Sequence, residues 1–142
     1  NLAEQFTVSQ KIAAVATNMK WIDEGLRMLE AGEKPRTSLP FPLAAVRIGD
    51  VAAALSPGEN FTETGMKIRA RSPFVHTLVC GDTYGMFCYL ATDIEIDRGG
   101  SEPDRNWKTI IHDGFRLPPA KGTADLIVNT AVELLKGLHE KH

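Results

Sequence analysis

The sequence has few aromatic residues, no surplus of one charge and no long apolar run, and these absences exclude several classes of protein. Aromatic residues make up 7% of the 142 residues, and the formal net charge is −2. A chain so close to neutral gives no electrostatic reason to bind nucleic acid or an anionic membrane surface. We therefore expect no nucleic-acid partner. No apolar run reaches the roughly 18 residues that a membrane-spanning helix needs.

Cysteine is scarce as well. Cys80 and Cys88 stand in two short apolar runs that flank the sequence "GDTYG". If these runs pair as a hairpin about that turn, the two cysteines lie at different distances from it and do not face each other. A disulfide needs Cα atoms within about 7 Å, so we predict two buried thiols. The spacing also differs from a CxxC motif, and the compartment stays open.

The common catalytic signatures are absent: the sequence contains no HExxH, GxSxG, P-loop or GxGxxG pattern. Nothing at the start resembles a signal peptide. The chain begins with Asn1 rather than Met, so we expect a processed product or a piece of a longer protein.

What is present is the composition of an ordinary globular domain, with 43% hydrophobic and 24% charged residues. A chain of this length forms one domain, residues 1–142, with a core of its own.

The first segment has a helical period. Its apolar residues are spaced 3, 4, 3, 4 and 3 apart, which places them on one face of a helix. Thr7 and Gln10 could form a capping box at its start, and Gly32 and Pro35 mark its end. We interpret the stripe as a core face, with binding of a partner helix as the alternative. The stripe consists of Ile12, Val15, Met19, Ile22, Leu26 and Leu29.

Four strands and a helix are predicted in the middle of the chain. The runs "LAAVRIG" and "VAAALS" flank Gly49-Asp50 and predict a hairpin. A helix is expected over residues 62–71, where Thr62 could act as the cap and Glu63 suits the first turn. "FVHTLVC" and "GMFCYLA" are two further strand candidates.

The last third contains a long polar segment and a second amphipathic helix. Residues 92–119 are glycine-punctuated and predict a loop. Residues 123–138 predict a helix. Its expected apolar side consists of Leu126, Ile127, Ala131, Leu134, Leu135 and Leu138. The predicted fold class is α/β, a mixed sheet covered by the N- and C-terminal amphipathic helices.

Glu59 is the first candidate for chemistry. It follows "VAAALSPG", where an apolar strand turns towards a helix. Ligands of open α/β sheets gather beyond the carboxyl ends of strands, and a helix N-terminus favours an ionised carboxylate. Such a carboxylate suits a hard or borderline cation. The alternative is an acid that only favours the start of the helix.

Other candidates are weaker. Glu102 and Asp104 lie in the polar loop, but no histidine stands three or four residues away to complete a metal motif. His112 is the best histidine. His76 fits a strand residue, while His139 and His142 fit the solvated end of the last helix. Ser56 lacks the glycines of a nucleophile elbow.

Several of these stretches together resemble the neutral, non-lysosomal ceramidase family. The resemblance is carried by "AVRIGDVAAALSPGENFTETGMKIRARS", "HTLVCGDTYGMFCYLATDIEI" and "GGSEPDRNW", and it covers residues 43–107. It implies that the chain is the later part of a larger catalytic domain. The implied activity is zinc-dependent hydrolysis of N-acyl sphingoid lipids, with a smaller amide substrate as an alternative.

The resemblance also implies particular site residues. The family holds one zinc with two histidines, a glutamate and a tyrosine, and its glutamate matches Glu59. Ser101 stands at the position of the tyrosine, and a short neutral hydroxyl is a poor replacement for that ligand. The two histidines have no counterpart in this sequence.

Two hypotheses follow from this partial match. The chain either belongs to a zinc amide hydrolase and needs the upstream part of its domain, or it is a non-catalytic binding or structural relative. Family resemblance suggests an extracellular or periplasmic location. We also expect self-association, because a part of a domain exposes apolar surface.

Overall fold

The fold is α/β, in a computed structural model that describes residues 2–38, 40–100 and 118–140. In chain order, a long helix precedes a small mixed sheet and another helix follows it. The elements, in order, are α1 (Leu2–Glu30), β1 (Ala44–Ile48), β2 (Val51–Leu55), β3 (Glu59–Asn60), α2 (Thr62–Arg71), β4 (His76–Cys80), β5 (Tyr89–Leu90), α3 (Asp93–Arg98) and α4 (Thr123–Glu140).

The main sheet has three strands in the order β1-β2-β4. β1 and β2 form the predicted antiparallel hairpin, with Ile48 opposite Val51 and Gly49 at a φ of +59° in the turn. β2 and β4 are parallel, and α2 connects them. This β-α-β unit brings the carboxyl ends of β2 and β4 to the same edge of the sheet.

The core lies on one face of this sheet. Ala52 and Ala54 of β2 are buried there, and they pack in one cluster with Ile68 of α2 and Leu135 of α4. Small side chains on the central strand leave room for two helices to approach the sheet. Polar contacts join the helices at the surface, where the Lys67 ammonium lies 2.7 Å from the Asp125 carboxylate.

The opposite face of the sheet is open among the described residues. Val46, Ala53 and Leu78 stand in register across the three strands. Val46 is 43% exposed and Leu78 is 57% exposed. Ile48, on the same face, is 81% exposed. We call this surface the open sheet face.

The predicted last helix is confirmed, but its buried side is rotated from the predicted one. Leu126 is 66% exposed and Leu134 is 37% exposed, whereas Val128 and Val132 belong to the core. The predicted apolar side included Leu126 and Leu134 because they are leucines, and this shifted it away from the side that is buried. The smaller valines complete the face that meets the sheet, because helical geometry places them beside Ala131 and Leu135.

The expected hairpin about "GDTYG" is wrong. β4 pairs with β2, and β5 forms a separate two-residue parallel pair with β3. Cys80 accordingly ends β4, whereas Cys88 precedes β5 and lies outside both sheets. Neither cysteine forms a disulfide, as predicted, but the prediction of two buried thiols holds for Cys88 alone, because Cys80 is half-buried.

Part of the predicted loop at residues 92–119 is a helix. The side chain of Thr92 accepts a hydrogen bond from the Glu95 backbone N–H and caps α3, which ends at Gly99. "TDIE" is a capping-box sequence, so the signal was present in the chain. The Asp93 carboxylate accepts a 2.7 Å bond from the backbone N–H of Gly122, which connects α3 to the start of α4.

The N-terminal helix ends as predicted but does not begin or pack as predicted. At its end the Gly32 N–H donates to the Leu29 carbonyl and the Glu33 N–H to the Met28 carbonyl, a Schellman motif with Gly32 at a φ of +67°. The helix already exists at Leu2, so Thr7 does not cap it.

The apolar stripe of α1 is not a core face. Its exposure runs from 50% at Ile22 to 75% at Leu29. The half-buried side of the helix includes Asn18, Trp21 and Met28, roughly a third of a turn away. The expectation that the N-terminal helix covers the sheet with this stripe is therefore wrong. In the described part of the chain, no helix is long and apolar enough to cross a membrane.

The packing of α4 can be tested with two leucines of the same helix. Leu135 is fully buried, so Leu135→Ala should lower the free energy of unfolding by about 2–5 kcal/mol. Leu126→Ala, on the exposed side, should change it by less than about 0.5 kcal/mol. Urea denaturation followed by circular dichroism measures both values. Equal losses would contradict the orientation of α4.

Candidate functional site

A buried turn follows the end of β2. Ser56, Pro57 and Gly58 are all buried, although they lie between two strands rather than in one. We call these residues the 56–58 turn. Buried backbone must find hydrogen-bond partners away from water, so the partners of this turn determine how Glu59 is placed.

Residues 80–88 supply those partners. The Thr83 N–H donates to the Ser56 carbonyl at 2.9 Å, and the Phe87 N–H donates to the Pro57 carbonyl at 2.9 Å. The Ser56 N–H donates to the Cys80 carbonyl, and the Glu59 N–H donates to the Cys88 carbonyl, both at 3.0 Å. The segment after β4 is therefore bonded to the turn instead of forming a hairpin.

Two glycines allow the close packing around this turn. A Cβ atom added at Gly81 would lie 2.7 Å from the Gly58 carbonyl oxygen, and one added at Gly58 would lie 2.5 Å from the Leu90 side chain. Neither distance is tolerated between real atoms. Gly81 is thus required by the approach of the two backbones, and Gly58 by the packing of the Leu90 side chain against the turn.

The segment also contains two non-glycine residues in the left-handed region. Asp82 has a φ of 51° and Tyr84 a φ of 48°. Asp tolerates this conformation, but it is unfavourable for a bulky residue such as tyrosine. The Tyr84 hydroxyl lies 2.9 Å from the Pro42 carbonyl oxygen and 3.1 Å from that of Leu55, so it can donate to one of them and hold the segment. Such conformations cluster at ligand sites and active sites.

A cleft of about 410 Å³ opens beyond the carboxyl ends of β2 and β4. Glu59, Asp82 and Arg69 supply its charged groups. Asn60 also lines it; its amide donates a 2.6 Å bond to the Ser56 hydroxyl, while its own side-chain oxygen is buried without a hydrogen-bond partner. The cleft therefore presents two carboxylates and one guanidinium, and the unpaired amide oxygen of Asn60 is buried in its wall.

Glu59 lies between a strand and a helix, as the sequence predicted. It lies after β2, in the two-residue strand β3, with α2 beginning three positions later, and it is half-buried at the cleft. The predicted cap of α2 is wrong, because the N-cap is Phe61 and makes no side-chain cap bond; Glu63 is in the first turn as expected. The first backbone N–H groups of α2 therefore have no side-chain acceptor at the N-cap.

The described residues do not form a zinc site by themselves. No group of three His, Cys, Asp or Glu side chains that could hold a metal occurs in residues 2–38, 40–100 and 118–140. The donors at the cleft are oxygen atoms, whereas protein zinc sites rely mainly on histidine and cysteine. Ser101, the predicted substitute for a ligand, lies outside the described residues.

The remaining candidates fall into three groups. His76 is exposed at the first position of β4, an edge strand. His139 is exposed and packs edge-to-face with the buried Phe74 ring, with the two ring centroids 5.3 Å apart. Ser56 is buried and bonded within its turn. The candidates outside the described residues are Glu102, Asp104, His112 and His142.

Asp82 and Arg69 were not singled out from the sequence. From the sequence, Arg69 is expected to be a solvated residue in the last turn of α2, and Asp82 is expected to be an ordinary turn residue. Both reach the cleft only because β4 runs parallel to β2 and the chain then returns over the 56–58 turn. A prediction of parallel pairing between β2 and β4 would have identified them.

Comparison of the chain with family models, with curated proteins and with solved structures finds no match.

The contact between the two glycines can be tested with a matched pair of alanine substitutions. Gly81→Ala should destabilise the fold by about 1–3 kcal/mol, because its Cβ meets a backbone oxygen. Gly137→Ala, in the interior of α4 with nothing within 4 Å, should instead stabilise it by roughly 0.5–1 kcal/mol. Thermal unfolding reports both. A neutral Gly81→Ala would refute the close approach.

Proposed function

We propose that this chain contributes one metal-ligating carboxylate, Glu59, to a zinc-dependent amide hydrolase resembling the neutral ceramidases. The observation that carries the proposal is the placement of Glu59. Glu59 directly follows the 56–58 turn, which is buried and hydrogen-bonded to residues 80–88. Its side chain lines a cleft beyond the ends of two parallel strands. A ligand at such a position is oriented before the metal arrives, which favours binding.

The proposal assigns the other ligands to a part of the domain outside these 142 residues. Glu59 with Asp82 and the Asn60 amide oxygen offers too few nitrogen or sulfur donors for zinc. The upstream part of the domain would supply the histidines that the resemblance implies. The 142 residues alone are expected to be inactive, and the substrate class is a lipid amide.

Arg69 and Asp82 give the cleft both charges beside Glu59. A guanidinium next to a metal-ligating carboxylate can hold that carboxylate in one orientation or bind a polar group of the substrate. This mixture suits the polar end of an amphiphilic amide better than its acyl chain.

The test uses the full-length gene product and a fluorogenic N-acyl sphingosine. Glu59→Gln keeps the size of the side chain but removes its charge, and should lower hydrolysis and zinc content together by at least about 100-fold. Glu63→Gln removes an exposed carboxylate four positions away that does not line the cleft, and should change neither. Metal analysis by mass spectrometry measures zinc.

A second candidate is a non-catalytic relative that uses the cleft for binding. Ser101 favours it, because a serine there lacks the ligand strength of the family's tyrosine. In that case the full-length product contains no stoichiometric zinc and hydrolyses no amide, and Glu59→Gln has no activity to remove.

A further inference from the structure

The guanidinium of Arg69 has no hydrogen-bond or ion-pair partner in the part of the chain that the structure describes. Its basic neighbours on α2 both have one. The Lys67 ammonium lies 2.7 Å from the Asp125 carboxylate, and the Arg71 guanidinium donates a 2.8 Å bond to the Asn129 side-chain oxygen. Both pairs join α2 to α4. Three further arginines also donate to oxygen atoms of the chain, and these are Arg27, Arg47 and Arg98.

The Arg69 side chain folds back over a glycine. A Cβ atom added at Gly65, one turn earlier in α2, would lie 3.5 Å from Arg69 Nη1. The guanidinium therefore lies where α2 has no side chain, beside the cleft that Glu59 and Asp82 also line. Within the described residues neither carboxylate forms an ion pair with it. Its N–H groups can therefore bind an oxygen atom of a ligand.

We propose that Arg69 binds the carboxylate of an aliphatic acid in this cleft. A guanidinium presents its N–H donors in a planar fork that matches the two oxygens of a carboxylate. Phe61 and Val79 line the same cleft and offer an apolar contact to the carbons next to that carboxylate. The charged end of the ligand lies at Arg69.

The choice of a carboxylate rests on the proposed function, whereas the unpaired guanidinium does not. Hydrolysis of an amide adds the oxygen of water to the carbonyl carbon and breaks the C–N bond, and both protons of water end on the amine. The acyl product is a carboxylate near neutral pH, because the pKa of such a group is about 4. Arg69 accordingly distinguishes the charged acyl product from the neutral amide.

The two carboxylates of the cleft oppose the binding of an anion. Glu59 and Asp82 are negative and Arg69 is positive, and repulsion between like charges weakens binding to an extent that salt reduces. Two variants that each remove one charge should therefore act in opposite directions. Loss of the Arg69 guanidinium weakens binding, whereas loss of the Asp82 carboxylate strengthens it.

Titration of the 142-residue chain with hexanoate, followed by the backbone amide NMR signals of Gly65 and Gly81, tests the proposal. Both signals should shift and saturate. Arg69→Gln should raise the Kd at least about tenfold, because hydrogen bonds to a charged group are lost. Asp82→Asn should lower it, and asparagine tolerates the left-handed backbone of this position. The matched control is Arg71→Gln, which removes a guanidinium bonded to α4 and should leave the Kd unchanged.

Hexanamide has the same length and no charge, so it should bind more weakly than hexanoate. Equal binding of the two, an unchanged Kd for Arg69→Gln, or no shift at either glycine overturns the proposal. Inorganic phosphate is the competing anion, and tighter binding of phosphate than of hexanoate overturns the choice of a carboxylate. None of these measurements uses zinc or hydrolysis. They therefore separate a failure of this inference from a failure of the proposed function, which Glu59→Gln tests.

Discussion

The fold around the cleft depends on the hydrogen bonding of the buried 56–58 turn to residues 80–88. The Ser56 carbonyl accepts hydrogen bonds from the N–H and the hydroxyl of Thr83, and the Pro57 carbonyl accepts one from the Phe87 N–H, so both would lose these partners without residues 80–88. An unpaired buried carbonyl costs about 1–3 kcal/mol. The turn and the segment must therefore order together, and Glu59, which leaves the turn, takes its place from this contact.

The same contact explains why the chain uses small or unusual residues at so many neighbouring positions. A Cβ atom at Gly81 would push the two backbones apart, and one at Gly58 would meet the Leu90 side chain that packs against the turn. Tyr84 accepts an unfavourable backbone conformation, and its hydroxyl bond to the preceding part of the chain offsets the cost. Strain at a site persists only where surrounding bonds overdetermine it. The sequences "SPGE" and "GDTYG" are thus two halves of one structural unit.

Local patterns predicted the elements well and their partners poorly. The hairpin at Gly49-Asp50, the helix at residues 62–71 and the last helix follow from turn chemistry and period, which act within a few residues. The parallel pairing of β2 with β4 is decided by burial of Ala52 and Ala54 under two helices, which no local pattern contains. Glu59 could be singled out from the sequence because its position between a strand and a helix is a local pattern. Asp82 and Arg69 could not, because they reach the cleft through that non-local pairing. The family resemblance and all of the zinc ligands, Glu59 included, stay predictions.

The stripe of α1 shows the limit of amphipathicity as evidence for a core. Apolar residues that recur with a period near 3.5 indicate that one side of a helix packs against an apolar neighbour. They do not indicate whether that neighbour belongs to the same molecule. The open sheet face is apolar too, yet it contains only five-residue strands with exposed edges, and its register fits any flat apolar surface. The stripe of α1 is longer and has a regular spacing, and it too is exposed within the described part of the chain. Exposed apolar surfaces of this kind mark places of contact, but amphipathicity alone does not identify what covers either of them.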